Sequence, residues 1–185
     1  MQTLGLSNSN PASDNRLKSL FWPSIQTASD VDYLGAQGYW ICALVAVFSA
    51  IFNAVTGHAI IGAFIFVFYF LSGVGVREHS RYAAAVVLIM FVSDMAVTGP
   101  SVLRVILAAV LLSNLRATWI AANWQPDSSE ASLPPRLSET WGDKFVDKLP
   151  MLLWPKVRVL YYVLSACLLA LSAVGLIAIA LHRGR

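Results

Sequence analysis

Long apolar runs divide the chain, each bounded by charged, Pro-rich or Gly-rich punctuation. From Gly38 to Val76 there are 39 residues without an Asp, Glu, Lys or Arg, about twice the roughly 20 that one helix needs to cross a bilayer. Asn53, Thr56, Gly57 and His58 interrupt the middle of that run, which predicts a tight hairpin of two spans, 38–56 and 59–76. Arg77-Glu78-His79-Ser80-Arg81 then makes a charged turn, and a third apolar run goes from Tyr82 to Val97. Gly99-Pro100 stops it. Proline cannot continue a helical ladder but suits the first turn of a new helix, so a fourth span is expected from Ser101 to about Trp124.

The flanks read differently. Residues 1–26 are rich in Ser, Asn and Pro and lack apolar periodicity, the composition of a mobile segment. Trp22-Pro23 suits an interfacial anchor, because indole prefers the headgroup layer, and Ser29 or Asp30 is placed to cap a helix entering the membrane near Tyr39 and Trp40. The polar first 37 residues, with no small-residue cleavage site after the first apolar run, predict a retained N-terminus. Prolines and serines from Gln125 to Arg136 mark a linker. Over 138–149, Trp141, Phe145 and Leu149 recur every four residues, with Asp143, Lys144, Asp147 and Lys148 on the other faces. That pattern predicts an amphipathic helix lying on the membrane surface or docked on a partner subunit. Trp154-Pro155 introduces the last apolar span, 159–181.

Composition turns these elements into a class. Apolar residues make up 57% of the 185 and charged residues only 12%, about half the charged share of a soluble domain. A water-soluble globule of this size needs a polar coat that so few charges cannot provide. The fold class expected is therefore all-α, a polytopic membrane bundle of five transmembrane helices plus one cytoplasmic interfacial helix. Its parts are an N-terminal segment (1–28), a four-helix bundle of two hairpins (29–124), a linker with the amphipathic helix (125–158) and a fifth span with its tail (159–185). The net charge of +3 comes with no basic run interleaved with aromatics, which argues against nucleic acid as a partner and for membrane lipids. Cys42 and Cys167 both fall in apolar runs and read as small packing residues.

Five spans put Arg16, Lys18, Arg77, Arg81, Arg116, Arg136, Lys144, Lys148, Lys156 and Arg158 on one side, against Arg104, Arg183 and Arg185 on the other. The positive-inside bias then predicts a cytoplasmic N-terminus and an external C-terminus.

Chemistry is sparse. Asp94 stands as the one acidic residue inside a predicted span. Counted from Gly99 it lies five residues before the turn and Arg104 five after, so antiparallel helices bring the two to one depth and predict an intramembrane ion pair. An ion or proton relay and plain interfacial solvation are the alternatives. A second polar focus joins Arg77, Arg81 and Arg116 on the cytoplasmic side, where they serve either an anionic headgroup or a partner's acidic surface, or form a solvated rim with Glu78 paired to Arg116. Consecutive Glu78, His79 and Ser80 diverge from one turn and cannot converge as a catalytic triad. His58, His79 and His182 offer no paired axial ligands at depth, and neither Cys-x-x-Cys nor a Gly-rich phosphate loop occurs. No catalytic residue, cofactor or metal is expected. Trp22, Trp40, Trp141 and Trp154 are the expected interface anchors. Ala166 and Ala170 give small-xxx-small spacing in the fifth span, the pattern of close helix contact within the bundle or with another subunit.

Gly75-Val76-Arg77 with Ser80-Arg81, followed one hairpin later by Asn114-Leu115-Arg116-Ala117-Thr118, resembles uncharacterised small multi-pass bacterial inner-membrane proteins. In these a Trp-Pro pair precedes the first span, Ser-Arg opens the third helix and Arg-Gly-Thr or Arg-Ala-Thr closes the fourth. The resemblance covers roughly residues 20–123; the linker and fifth helix depart from the four-helix form. It implies a bacterial inner-membrane location and brings no activity. Anchors, a docking-type helix and a small-residue face, without a polar path through the spans, lead to the expectation of a non-catalytic scaffold or accessory subunit bound to other membrane proteins. A small oligomeric transporter or channel with Asp94, Asn53 and Arg104 at one mouth is the alternative, and a lipid-modifying enzyme the third.

Overall fold

The computed structural model describes residues 28–123, 142 and 144–183, all of them helical or in short turns. Among the described residues five long helices follow one another: α1 (Ala28–Val55), α2 (Ala59–Arg77), α3 (Arg81–Thr98), α4 (Val102–Asn123) and α5 (Leu149–Arg183), the last preceded by a turn of π-helix over Lys144–Lys148. All five are long and apolar enough to cross a membrane, and the chain is a multi-pass membrane protein of all-α architecture. The N-terminal segment before Ala28, the linker 125–136 and the anchors Trp22 and Trp141 lie outside the described residues.

The hairpin turns follow from local chemistry. At Thr56-Gly57-His58, the amide of His58 donates to the Asn53 carbonyl at 2.8 Å and that of Gly57 to Ala54 at 3.2 Å. This double closure needs a left-handed residue, and Gly57 supplies it with φ of 84°. The α2 end repeats the device: the Ser80 amide reaches the Gly75 carbonyl at 2.9 Å and that of His79 reaches Val76 at 3.0 Å. Here the left-handed position is His79, at φ 54°, a conformation that costs a side-chain-bearing residue about 1–2 kcal/mol. Ser80 at once caps α3, its hydroxyl accepting from the Ala83 amide. Gly99, at φ 93°, closes α3.

Antiparallel α1 and α2 make the closest pairing. A side chain at Gly62 would meet Asn53 and Ala50, and one at Gly73 would meet Cys42 and the Tyr39 carbonyl, so glycine lets the backbones touch at both ends of the contact. One core cluster joins Tyr39, Phe68, Val74, Ala83, Trp154 and Tyr161 from four helices. A second joins Ile41, Cys42, Val87, Phe91, Val110 and Leu111 from α1, α3 and α4. Both cysteines are free, Cys42 buried and Cys167 exposed.

Two elements differ from the sequence expectation. Helix α1 starts at Ala28, ten residues before the apolar run, so Ser29 and Asp30 lie within it; its 28 residues make it about 42 Å long. The end of the expected surface helix is continuous with α5, which carries Pro155 inside it. Proline lacks the amide that an α-turn needs, and a turn of the wider π-helix, Lys144–Lys148, stands just before Pro150. The face turned inward is then Val146, Pro150 and Trp154, all buried, whereas Phe145 is 38% exposed. Spacing of four residues was legible; the face it buries is shifted by one.

Beyond Ser165 no described residue of α5 is buried. Its last residues packed on the core are Leu168 and Leu169, and nothing lies within 4 Å of the position a Gly175 side chain would take.

Candidate functional site

The polar centre of the molecule forms where α1 begins, α2 ends and α5 is about to start. Arg77, the last residue of α2, is turned inward with 2% of its side chain exposed. Burying a guanidinium costs several kcal/mol unless it is paired, and three elements converge to pair it. Nη1 donates to Asp32 Oδ1 at 2.6 Å and to the Asp32 backbone carbonyl at 3.1 Å, while Nη2 donates to Oδ2 of the same carboxylate at 3.1 Å. The fork meets the carboxylate in the bidentate geometry that Arg alone offers. Nη2 also donates to Asp147 Oδ1 on the π-turn. Asp32 keeps 41% of its side chain exposed and Asp147 only 16%, so the second carboxylate sits deeper in the contact.

Small residues make room for this clamp. A side chain at Gly35 would come to 3.1 Å from the His79 ring and 3.5 Å from Arg77 Nη1. One at Gly38 would collide with Asn114 and Val76. Asn114 of α4, buried, donates its amide to the Leu34 carbonyl at 2.5 Å, a carbonyl nearly two turns into α1. Below the clamp, Trp154 fills the space over Gly75 and Ala83, Tyr161 shares a hydrogen bond of 2.9 Å with Ser72, and Ser165 donates to the Tyr82 hydroxyl at 3.1 Å. The π-turn is thus held by an ion pair, and the first half of α5 by two buried rings and two hydroxyl contacts.

No protein-family model, curated protein or solved structure matches the chain.

The expected sites now sort by position. Arg77 is committed to two aspartates and buried, so it is not a donor to a headgroup; this corrects the grouping of Arg77 with Arg81 and Arg116. Those two lie at the same end of the bundle, Arg81 exposed and Arg116 half-buried. Asp32 near the start of α1 and Asp147 on the π-turn lie at the end of the bundle that holds Arg77, away from Asp94. Asp94 and Arg104 do approach one another at the α3–α4 turn, at 3.9 Å and with 54% and 37% exposure. Arg104 also donates to Thr98 Oγ1 and, at 3.1 Å, to the Gly99 carbonyl. Water or headgroups reach such a pair, and its worth is about 0–1 kcal/mol. Asn53 at the other hairpin turns its amide to the Ser49 carbonyl at 2.8 Å. Trp40 is 46% exposed, open to the surroundings as an anchor requires. Trp154 is 8% exposed and packed among Gly75, Ala83 and Tyr161, so it is a core residue and not an interface anchor.

Asp32 and Asp147 were missed because neither stands in an apolar run as the sequence divides it. The signal was topological: once five spans are threaded, both fall on the side that receives Arg77. Among the described residues no group of His, Cys, Asp and Glu is arranged to hold a metal ion.

Proposed function

We propose that this chain is a non-catalytic subunit of a larger membrane complex, seated in a bacterial inner membrane with its N-terminus cytoplasmic, and that α5 is the helix it offers to a neighbouring membrane protein. The observation that carries this reading is the uneven burial of the spans. Only 6% of the most apolar stretch of α5 is buried, against 22% or more in each of the other four. The turn before α5 is fastened by Asp147 and the first half of the helix by Trp154 and Tyr161, so the helix direction is fixed, while beyond Ser165 no described residue is buried. Ala166 and Ala170 are exposed there, one turn apart, and small residues at this spacing admit a second backbone to close range. In a bilayer, helix association gains little from hydrophobicity, since lipid is equally apolar, and depends on such close packing. The orientation is supported by the clustering of Arg81, Arg116, Lys148, Lys156 and Arg158 at one end.

Purification in a mild detergent tests the reading. The full chain is expected to co-migrate with at least one other membrane protein at fixed stoichiometry, and Ala166→Leu with Ala170→Leu to abolish that co-migration. Thermal stability of the isolated chain should not change, because both residues are exposed. A chain that purifies alone as a homo-oligomer contradicts the subunit reading and favours the transporter alternative.

A further inference from the structure

Two arginines flank the α2–α3 turn, and the bundle treats them oppositely. Arg77 receives both Asp32 and Asp147, whereas Arg81 has no carboxylate partner among the described residues. Its contact is with Trp119, the guanidinium carbon lying 5.5 Å from the ring centroid. Arg81 is exposed, and so is Trp119, at 55%. An indole near the last turns of a membrane helix sits at headgroup depth, so the pair lies where lipid phosphates are.

The arrangement calls for an anion on three counts. The cation–π contact with the indole uses no N–H of the guanidinium as a donor to an oxygen, and those N–H groups can grip a phosphate by two parallel bonds. Arg81 is also the first residue of α3. A helix N-terminus carries about half a positive charge, which disfavours a cation there and favours an anion beside it. Arg116 stands one turn before Trp119 on α4 and therefore on the same face, adding positive charge beside the pair.

We propose that Arg81 and Trp119 hold the phosphate of an anionic phospholipid at this end of the bundle. The site is distinct from the α5 surface and stands whether or not that surface binds a partner. Retention of phosphatidylglycerol against phosphatidylcholine by the full chain, read by native mass spectrometry after detergent exchange, is the test. The wild-type chain is expected to keep phosphatidylglycerol preferentially. Arg81→Gln should lower that retention about tenfold, the loss of one charge-assisted contact pair. Arg81→Lys, which keeps the charge and not the fork, should fall between them. Since Arg81 is exposed, melting temperatures of both variants should match the wild type, which separates lipid loss from misfolding. Millimolar inorganic phosphate should leave the lipid in place, because the acyl chains hold it as well. Equal retention by wild type and Arg81→Gln, no preference over phosphatidylcholine, or displacement by free phosphate would each overturn the proposal.

Discussion

Replacement of Arg77 by Gln is expected to destabilise the chain more than any other single side-chain change, by about 3–5 kcal/mol, the range seen when one member of a buried ion pair is removed. Glutamine leaves Asp32 and Asp147 facing each other with no cation between them. Asp32 has solvent at hand, with 41% of its side chain exposed; Asp147 has little, with 16%. The strain therefore falls on Asp147, and relief comes by lifting the π-turn away from α2. Unfolding in mixed micelles measures the loss. Asp147→Asn should cost less than Arg77→Gln, since it leaves the bidentate Asp32 contact whole. The double variant Arg77→Gln with Asp147→Asn should be more stable than Arg77→Gln alone, because it removes the stranded carboxylate. A double variant no better than the single would mean that Asp147 does not feel Arg77 and that α5 is held by its ring and hydroxyl contacts only.

The second large effect is expected at Gly75. A carbon added there would lie 2.5 Å from Trp154 Cη2 and 2.6 Å from the Ala83 side chain, both nearer than van der Waals contact allows. Neither neighbour yields cheaply: the Trp154 indole is buried against Tyr161, and Ala83 has no rotamer to change. Overpacking of this kind costs about 1–3 kcal/mol, and Gly75→Val should reach the upper end because it adds three carbons instead of one. The α2 helix, α3 and α5 meet at this point, so the clash pushes α5 outward. Trp154→Leu in the same chain should recover part of the loss by vacating the space. Denaturation midpoints of the two single variants and the double one form the cycle that reads it; additive losses would show that Gly75 and Trp154 do not touch.

The spans were legible because lipid imposes one rule on every position. A helix crossing a bilayer satisfies its own backbone and shows apolar side chains on all sides, so a run without charge betrays it irrespective of what it packs against. Gly57 and Gly99 were readable as turns for the same reason, since a reversal between two such runs needs a residue free to adopt positive φ. The ion-pair partner of Arg77 was not readable. Asp32 lies before the apolar run, where it looks like a solvated helix start, and Asp147 looks like the polar face of a surface helix. Each owes its role to the fold, which carries residue 147 back over residue 77. Trp154 shows the same limit from the other side: Trp-Pro before a span suits an anchor, yet Gly75 opens a slot opposite it, and only the packing of α5 on α2 brings ring and slot together. Asp94 and Arg104 were paired by counting from Gly99, a local relation across one turn that needs no knowledge of the rest.

A photo-crosslinking residue in place of Ile177, 60% exposed on the free half of α5, and activated in native membranes, tests the subunit reading most directly. The account predicts a covalent adduct with one other membrane protein, formed in constant proportion and lost when Ala166 and Ala170 are both made leucine. Adducts with lipid alone, or with further copies of this same chain, would contradict it.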